Sequence, residues 1–377
     1  MAETVVSTFD VAVVGLGAVG AYVVERLSAE GFSVVGIEKS SAVNPSAAYA
    51  GESRLFRAAY HEGANYVDAL LYARQEWKRL HRISDRSIFL DTGVASVAPR
   101  GSAKLKGVFA SLREFDLPHT ALEGSEISKV FPQFRDTDGD VCIVDELGGV
   151  LRSEIAVQQL LNAAHRNGAQ IMTNSEVLEV EQKGSQASIS VGSKKIVAGQ
   201  AIVTAGVWTR NLLPSLSKFF EIRTIPLFWF LTKSGFDFST SNFPGFIRDK
   251  NGIHIYGFPS LDAAVVKIGA KVARETLESP DVLPLEVPAS AQLDALRQIT
   301  HLIDGIEPLP LRQSMHMDLY TIDSFPVVSR IDKNITIATG FSGHGFKLAP
   351  AFGRLAMDIA LDRDSIIGRE MYSIERF

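Results

Sequence analysis

Short apolar runs alternate with polar and glycine-rich punctuation along this chain, and the spacing of the apolar positions changes between segments. The run Phe9-Asp-Val-Ala-Val-Val14 predicts a buried strand, and Gly15-Leu-Gly-Ala-Val-Gly20 follows it directly. A helix-like stretch over 21–30 comes next, then a second apolar run over 32–37 that closes on Glu38. Strand, glycine turn, helix and strand with an acid at the end form a unit that binds the ADP half of a dinucleotide. Gly15 permits the sharp turn, Gly17 lets the backbone approach a pyrophosphate, and Gly20 lets helix and strand pack closely. The pyrophosphate would sit on the helix N-terminal amides, where the dipole favours negative charge. Glu38 would accept hydrogen bonds from ribose hydroxyls and repel a 2′-phosphate.

Helical periodicity returns over 66–82 (Val67, Leu70, Leu71, Trp77, Leu80) and over 155–167, where Ile155, Leu160, Leu161 and Ala164 share a side. Gly168 ends the second of these as a C-cap. Between them, residues 87–150 read as short strands and turns around a helix at 102–115. Strands follow at 169–172, 177–181, 187–191 and 201–206, resuming the α/β alternation. Residues 224–275 read as a string of strands (225–232, 253–256, 263–269), before a proline-bearing connector at 280–288 and a helix at 290–302. The chain closes with a strand at 334–339, a glycine-rich turn at 340–347 and a helix at 349–361. The expected fold is α/β: a Rossmann-like dinucleotide-binding domain with an interleaved, mainly antiparallel β-sheet lobe of α+β character. Residues 1–86, 150–216 and 322–377 are assigned to the first domain, and 87–149 and 217–321 to the second.

Composition narrows the partners. The 377 residues can bury two cores. Net charge is −5, which gives no electrostatic case for nucleic acid or an anionic membrane. No apolar stretch is long enough to span a bilayer, and the opening residues lack the basic start and apolar run of a leader. Cys142 is the only cysteine, which excludes an internal disulfide, and its apolar neighbours mark it as a buried small hydrophobe. The eight histidines show no metal-ligand spacing, so no metal is expected. A cytoplasmic protein fits these features.

Several segments occur together in an order that is distinctive. These are the N-terminal unit, Gly51-Glu-Ser-Arg-Leu-Phe-Arg-Ala-Ala-Tyr60, Tyr256-Gly-Phe-Pro259, Lys267-Ile-Gly269 and Gly340-Phe-Ser-Gly-His-Gly-Phe-Lys347. In these the chain resembles, nearly end to end, the monomeric sarcosine oxidase and N-methyltryptophan oxidase family of FAD-dependent amine oxidases. The resemblance implies FAD, a small amino-acid-like amine as substrate, O2 as acceptor and a monomer. It implies hydride transfer from the amine's C–H to flavin N5, hydrolysis of the imine and release of H2O2. Flavin contacts would come from Gly15, Gly17, Gly20, Glu38, Lys39, Ser53 and Arg54, from Val177, Gly206 and Trp208, and from Gly340, Gly343, His344, Gly345, Phe346 and Lys347. Arg57 and Lys347 would bind the substrate carboxylate, for which a planar guanidinium and a point charge are suited. Tyr256 would line the same pocket. Lys267 falls where the family places a lysine beside the flavin, where a cation stabilises charge developing on O2. Arg54, assigned with it to the catalytic residues, would hold nearby negative charge and order the pocket rather than bind substrate. Asp323 and Pro326 match a family turn near the flavin.

The chain departs from that pattern at informative places. Relatives tether FAD through a cysteine where this sequence has Ser314, and serine cannot form the thioether, so non-covalent FAD is expected. An aromatic position two residues on is His316, and a family histidine two residues past Gly269 is Lys271. His316 is assigned to the reaction centre and Lys271 to the substrate pocket, where they could accommodate a second acidic group or a larger polar substrate. These changes leave sarcosine itself unsupported. A primary amino-acid deaminase, a cyclic-amine tailoring oxidase and a flavin dehydrogenase using another acceptor remain open.

Overall fold

The computed structural model describes residues 5–272, 275–284 and 286–377. Residues 1–4, read above as lacking a leader, and position 285 of the proline-bearing connector lie outside the described residues.

The first sheet is built around Val5–Val14, which pairs in parallel with Val34–Ile37 and with Lys194–Val203. Gln170–Met172 extends it beyond Val34–Ile37, and Ile335–Thr339 pairs in parallel with the end of Lys194–Val203. Val177–Lys183, Gln186–Val191 and Val327–Asp332 complete it through antiparallel pairings. Stretches of chain near 5–37, 170–203 and 327–339 therefore meet in one sheet.

A parallel sheet must be covered on both faces, and alternate side chains serve different layers. Val11 and Val13 pack against the helices Ala18–Ala29, Val67–Ile83, Ser153–Arg166 and Ala349–Ala360, with Leu27, Trp77, Leu160 and Phe352 buried among them. Ala12 and Val14 point the other way, toward a core shared with Ile222, Met317 and Leu319 of the second sheet. Burial of each such large apolar side chain contributes about 1.5–3 kcal/mol, more than helix propensity supplies.

The first helix starts at Ala18, earlier than the sequence pattern indicated. Its glycine is a packing device rather than a break. A Cβ at Gly20 would overlap the Gly15 carbonyl oxygen, so the helix can lie this close to the turn only with hydrogen there.

The second sheet centres on Phe220–Leu231, antiparallel to Val265–Ala270, Thr276–Leu277 and Arg312–Thr321. It continues through Ile253–Gly257 and Gly245–Lys250 to Val94–Pro99, Asp140–Asp145 and His119–Glu123. Among the described residues its one parallel pairing joins Gly245–Lys250 to Val94–Pro99. The helix Ala289–Leu302 packs Ala295 and Ile299 into the core beside Phe228, Phe230 and Ile268. A small sheet of Ser53–Phe56, Gly149–Arg152 and Phe89–Leu90 lies between these layers in sequence and carries Arg54.

Sequence periodicity left Arg312–Thr321 unmarked, as it did Ser53–Phe56 and Val327–Asp332. Arg312–Thr321 alternates polar His316 and Asp318 with apolar Met315, Met317 and Leu319, and the apolar set is buried in the core. Cys142 is buried in the second core, and burial pushes its thiol up to about 12, so it is an inert packing residue.

Candidate active site

A single cavity of about 750 Å³ runs from the glycine turn of the first sheet to the strands of the second. That volume lies in the upper part of the range for small-molecule sites, roughly 300–1,000 Å³.

One end is lined by Gly15, Gly17, Glu38 and Lys39, with Val177, Gly206 and Trp208 along the wall. Gly15 has φ +92°, and a Cβ there would lie 2.7 Å from the Thr204 carbonyl oxygen. At Gly17 nothing lies within 4 Å of the Cβ position, so the backbone is open to the cavity. The helix behind it carries no side-chain cap and no acid in its first turn, which leaves its amides to an outside anion. Glu38 is held rigid: Oε2 accepts from Leu16 N (2.9 Å), and Oε1 from Ser40 N (3.0 Å) and Asn44 Nδ2 (3.2 Å). A carboxylate offers about four acceptor sites, so capacity remains for a ribose hydroxyl. Lys39 pairs with Glu176 at 2.9 Å, and the indole Nε1 of Trp208 is buried without a partner. These features fit the ADP half of FAD. Gly20 lies beneath the turn and acts through packing, outside the lining.

The other end gathers Arg54, Arg57, Tyr256, Lys271 and His316 with Gly340, Gly343, His344, Gly345, Phe346 and Lys347. Arg54 donates to the carbonyls of Ser53 (2.7 Å), Ala48 (2.6 Å) and Ala50 (2.6 Å), and burial lowers its pKa. Arg57 donates to Glu62 Oε1 at 3.2 Å and meets His61 Nδ1 at 2.6 Å. Its guanidinium lies 4.7 Å from the centre of the Tyr60 ring, and the Lys347 ammonium 5.2 Å from the same ring. Tyr60 thus carries both cations on its π-system, and its hydroxyl bonds His344.

Burial, then repulsion from Arg57, brings the Lys347 ammonium down to about 7, and among the described residues its Nζ donates only to the Gly343 carbonyl, at 3.3 Å. Burial would raise Glu62, but Arg57, His61 and Lys347 overcome it and hold the carboxylate at about 2. His344 and His316 are each lowered to about 3, chiefly by burial and then by neighbouring cations, so both are neutral. Ser314 Oγ meets His316 Nε2 at 2.7 Å.

The structure does not bring every expected residue to this cavity. Lys267 is buried against a second, smaller cavity of about 310 Å³ that Ser53 also lines. Its Nζ donates to the Gly51 and Ser53 carbonyls, each at 2.6 Å, and lies 3.9 Å from the Phe258 ring centre. Burial, then Arg54, presses its pKa well down. Residues 51–53 therefore stand between Lys267 and the Arg54 side. Asp323 forms a salt bridge with Arg376 at 2.7 Å rather than lining the cavity.

Lining residues not singled out from sequence include His61, Glu62, Lys104, His254 and Asp318. Asp318 was legible, since it sits two positions after His316 on one strand face. Its Oδ2 accepts from Gly343 N at 2.8 Å and fixes the glycine-rich turn, while burial raises its pKa. Among the described residues no group of side chains is arranged to hold a metal ion, and no helix is long and apolar enough to cross a membrane.

Residues 10–359 match the model of the FAD dependent oxidoreductase family. The chain belongs to that family. Monomeric sarcosine oxidase of Streptomyces avermitilis is 31% identical over 365 residues, covering 94% of each chain. N-methyl-L-tryptophan oxidase of Yersinia pestis is 28% identical, over 98% of this chain and 99% of that one. The fold is shared with NikD, an unusual amino acid oxidase essential for nikkomycin biosynthesis, at TM-score 0.85 and 17% identity over 98% of both chains. Glycine oxidase from Geobacillus kaustophilus shares it at TM-score 0.81 and 18% identity, over 99% of this chain and 100% of that one. The chain is thus an FAD-dependent oxidoreductase with an α/β fold, similar to sarcosine oxidase.

Proposed function

We propose that this oxidoreductase oxidises the amine of an amino acid, most directly a secondary N-methyl or cyclic amine, with FAD held non-covalently. The observation that carries the reading is the pairing of Arg57 and Lys347 over Tyr60 in the same cavity whose far end suits a dinucleotide. When bound, FAD supplies a two-electron acceptor for the hydride of the substrate C–H bond and a route for those electrons to O2, giving H2O2.

The chain's own residues bind and orient. Arg57 and Lys347 take the substrate carboxylate, for which Glu62 yields its hold on the guanidinium. Fixing one end of a small substrate in this way can lower a barrier by several kcal/mol. The same two cations disfavour a protonated amine, so no strong base is needed. His316 and His344, being neutral, act as hydrogen-bonding walls. The amides of the turn fixed by Asp318 offer partial positive charge near the reaction centre. Lys267 lies behind residues 51–53, donating to the Gly51 and Ser53 carbonyls, and in its ammonium form would favour charge developing on O2. The resulting imine hydrolyses in water. We place the enzyme in the cytoplasm as a monomer, with a cofactor domain of 1–86, 150–216 and 322–377 and a substrate domain of 87–149 and 217–321.

The seat of Lys267 away from the principal cavity favours one second reading, a dehydrogenase that passes electrons to another acceptor. A peroxide assay over N-methyl, cyclic and primary amino acids, followed by acid precipitation, tests these points. Peroxide with O2 alone and FAD in the supernatant are expected. Substrate-driven reduction of a carrier without peroxide would establish the second reading, and flavin remaining with the precipitate would contradict non-covalent binding.

A further inference from the structure

The substrate end of the cavity continues past Arg57 along one wall. Arg57 meets His61 Nδ1 at 2.6 Å, and Lys104 is among the cations that lower the His61 pKa. Lys104 Nζ meets His254 Nδ1 at 2.7 Å, and the His254 carbonyl accepts from Lys271 N at 3.0 Å. Arg57, His61, Lys104, His254 and Lys271 all line the cavity, so the wall is continuous from the carboxylate site to Lys271.

Charges along this wall do not balance. Arg57 faces Glu62, and Lys104 faces Asp249 at 2.5 Å. Burial lowers His61 to about 3, so it contributes no charge. Lys271 is exposed, and its side chain has no hydrogen bond or ion pair among the described residues. It follows the strand Val265–Ala270, just past Gly269, which packs under the Tyr256 ring, and it lines the cavity. A substrate with one carboxylate, seated on Arg57 and Lys347, would leave this lining lysine without an anionic partner.

We propose that the substrate is an acidic amino acid, with a second carboxylate on its side chain, and that Lys271 binds that group. This rests on the amine-oxidase reading and adds the substrate class. The opposite preference, a basic side chain drawn to Asp249, is disfavoured because Asp249 already holds Lys104 and His254.

The test uses the FAD-loaded protein in two arms. Calorimetry compares unreactive dicarboxylates, succinate to adipate, with monocarboxylates of equal length. Anaerobic mixing then compares N-methyl-L-glutamate, N-methyl-L-leucine and N-methyl-L-lysine as flavin reductants. At least one dicarboxylate is expected to bind roughly tenfold tighter than its monocarboxylate, with Lys271→Glu and the milder Lys271→Met erasing that gap. N-methyl-L-glutamate is expected to be the best reductant. No dicarboxylate gap, a gap that survives both variants, or a preference for N-methyl-L-lysine would overturn the proposal. Reduction by N-methyl-L-leucine without any gap would sink this inference alone. Failure of every amine to reduce the flavin would sink the amine-oxidase reading, and the substrate class with it.

Discussion

The two cations on Tyr60 make different demands on a carboxylate ligand. Arg57 is always charged and offers a fork, whereas the Lys347 ammonium, near pKa 7, is only partly charged at neutral pH. A bound carboxylate favours the ammonium form, so binding above pH 7 must take up a proton, and affinity must fall as pH rises through 7. Calorimetry of acetate binding at pH 8 in buffers of different ionisation enthalpy should report net proton uptake, which Lys347→Met should abolish. Equal heats in all buffers would show that Lys347 does not titrate with binding. Arg57→Ala should cost roughly 10²–10³-fold in kcat/KM for amino acids, in line with the loss of a charge-assisted bidentate contact. Simple amines should suffer much less. At this scale the sequence was readable wherever a residue belongs to a segment with its own pattern: Arg57, Lys347, Glu38 and Tyr256 all line the cavity. Glu62 and Lys104 were not, because their relevance depends on a guanidinium and an imidazole that only the fold brings near them.

At the scale of elements, the glycine turn carries the proposed cofactor end. Gly20 faces the Gly15 carbonyl and the Thr204 hydroxyl, and that hydroxyl itself bonds the Gly15 carbonyl at 2.6 Å. Gly20→Ala therefore has to push the helix Ala18–Ala29 off the turn. Its expected result is a folded protein that loses FAD on gel filtration, with unchanged far-ultraviolet circular dichroism; retention of FAD at wild-type occupancy would contradict this role. The strand–turn–helix–strand unit was legible because its glycines and apolar runs are consecutive. The strand Arg312–Thr321 was opaque for the opposite reason. Its polar face lines a cavity and its apolar face a core, so it reads as a mixed segment until the partner Phe220–Leu231 gives it a register. Period-2 alternation of His316 and Asp318 with Met315 and Met317 was the available signal.

Across the whole molecule, one cavity spans two sheets, and its ends are built by different means. The end at the glycine turn, where we propose the cofactor, relies on backbone: a tight turn, uncapped helix amides and one rigid acid. The opposite end, where we propose the substrate, relies on side chains from distant segments, held by Tyr60, Asp318 and backbone carbonyls. The α/β class with a mainly antiparallel second lobe followed from the order of periodicities along the chain. The separation of Lys267 from the principal cavity did not, because strand alternation puts it on the expected face while residues 51–53 intervene. The most direct test of the account is anaerobic mixing of the FAD-loaded protein with N-methyl amino acids, followed by the visible absorbance of oxidised flavin. Bleaching by amino acids, and far slower bleaching by methylamines lacking a carboxylate, is the predicted result. Flavin that stays oxidised with every amino acid offered, or that bleaches equally with amines bearing no carboxylate, would contradict it.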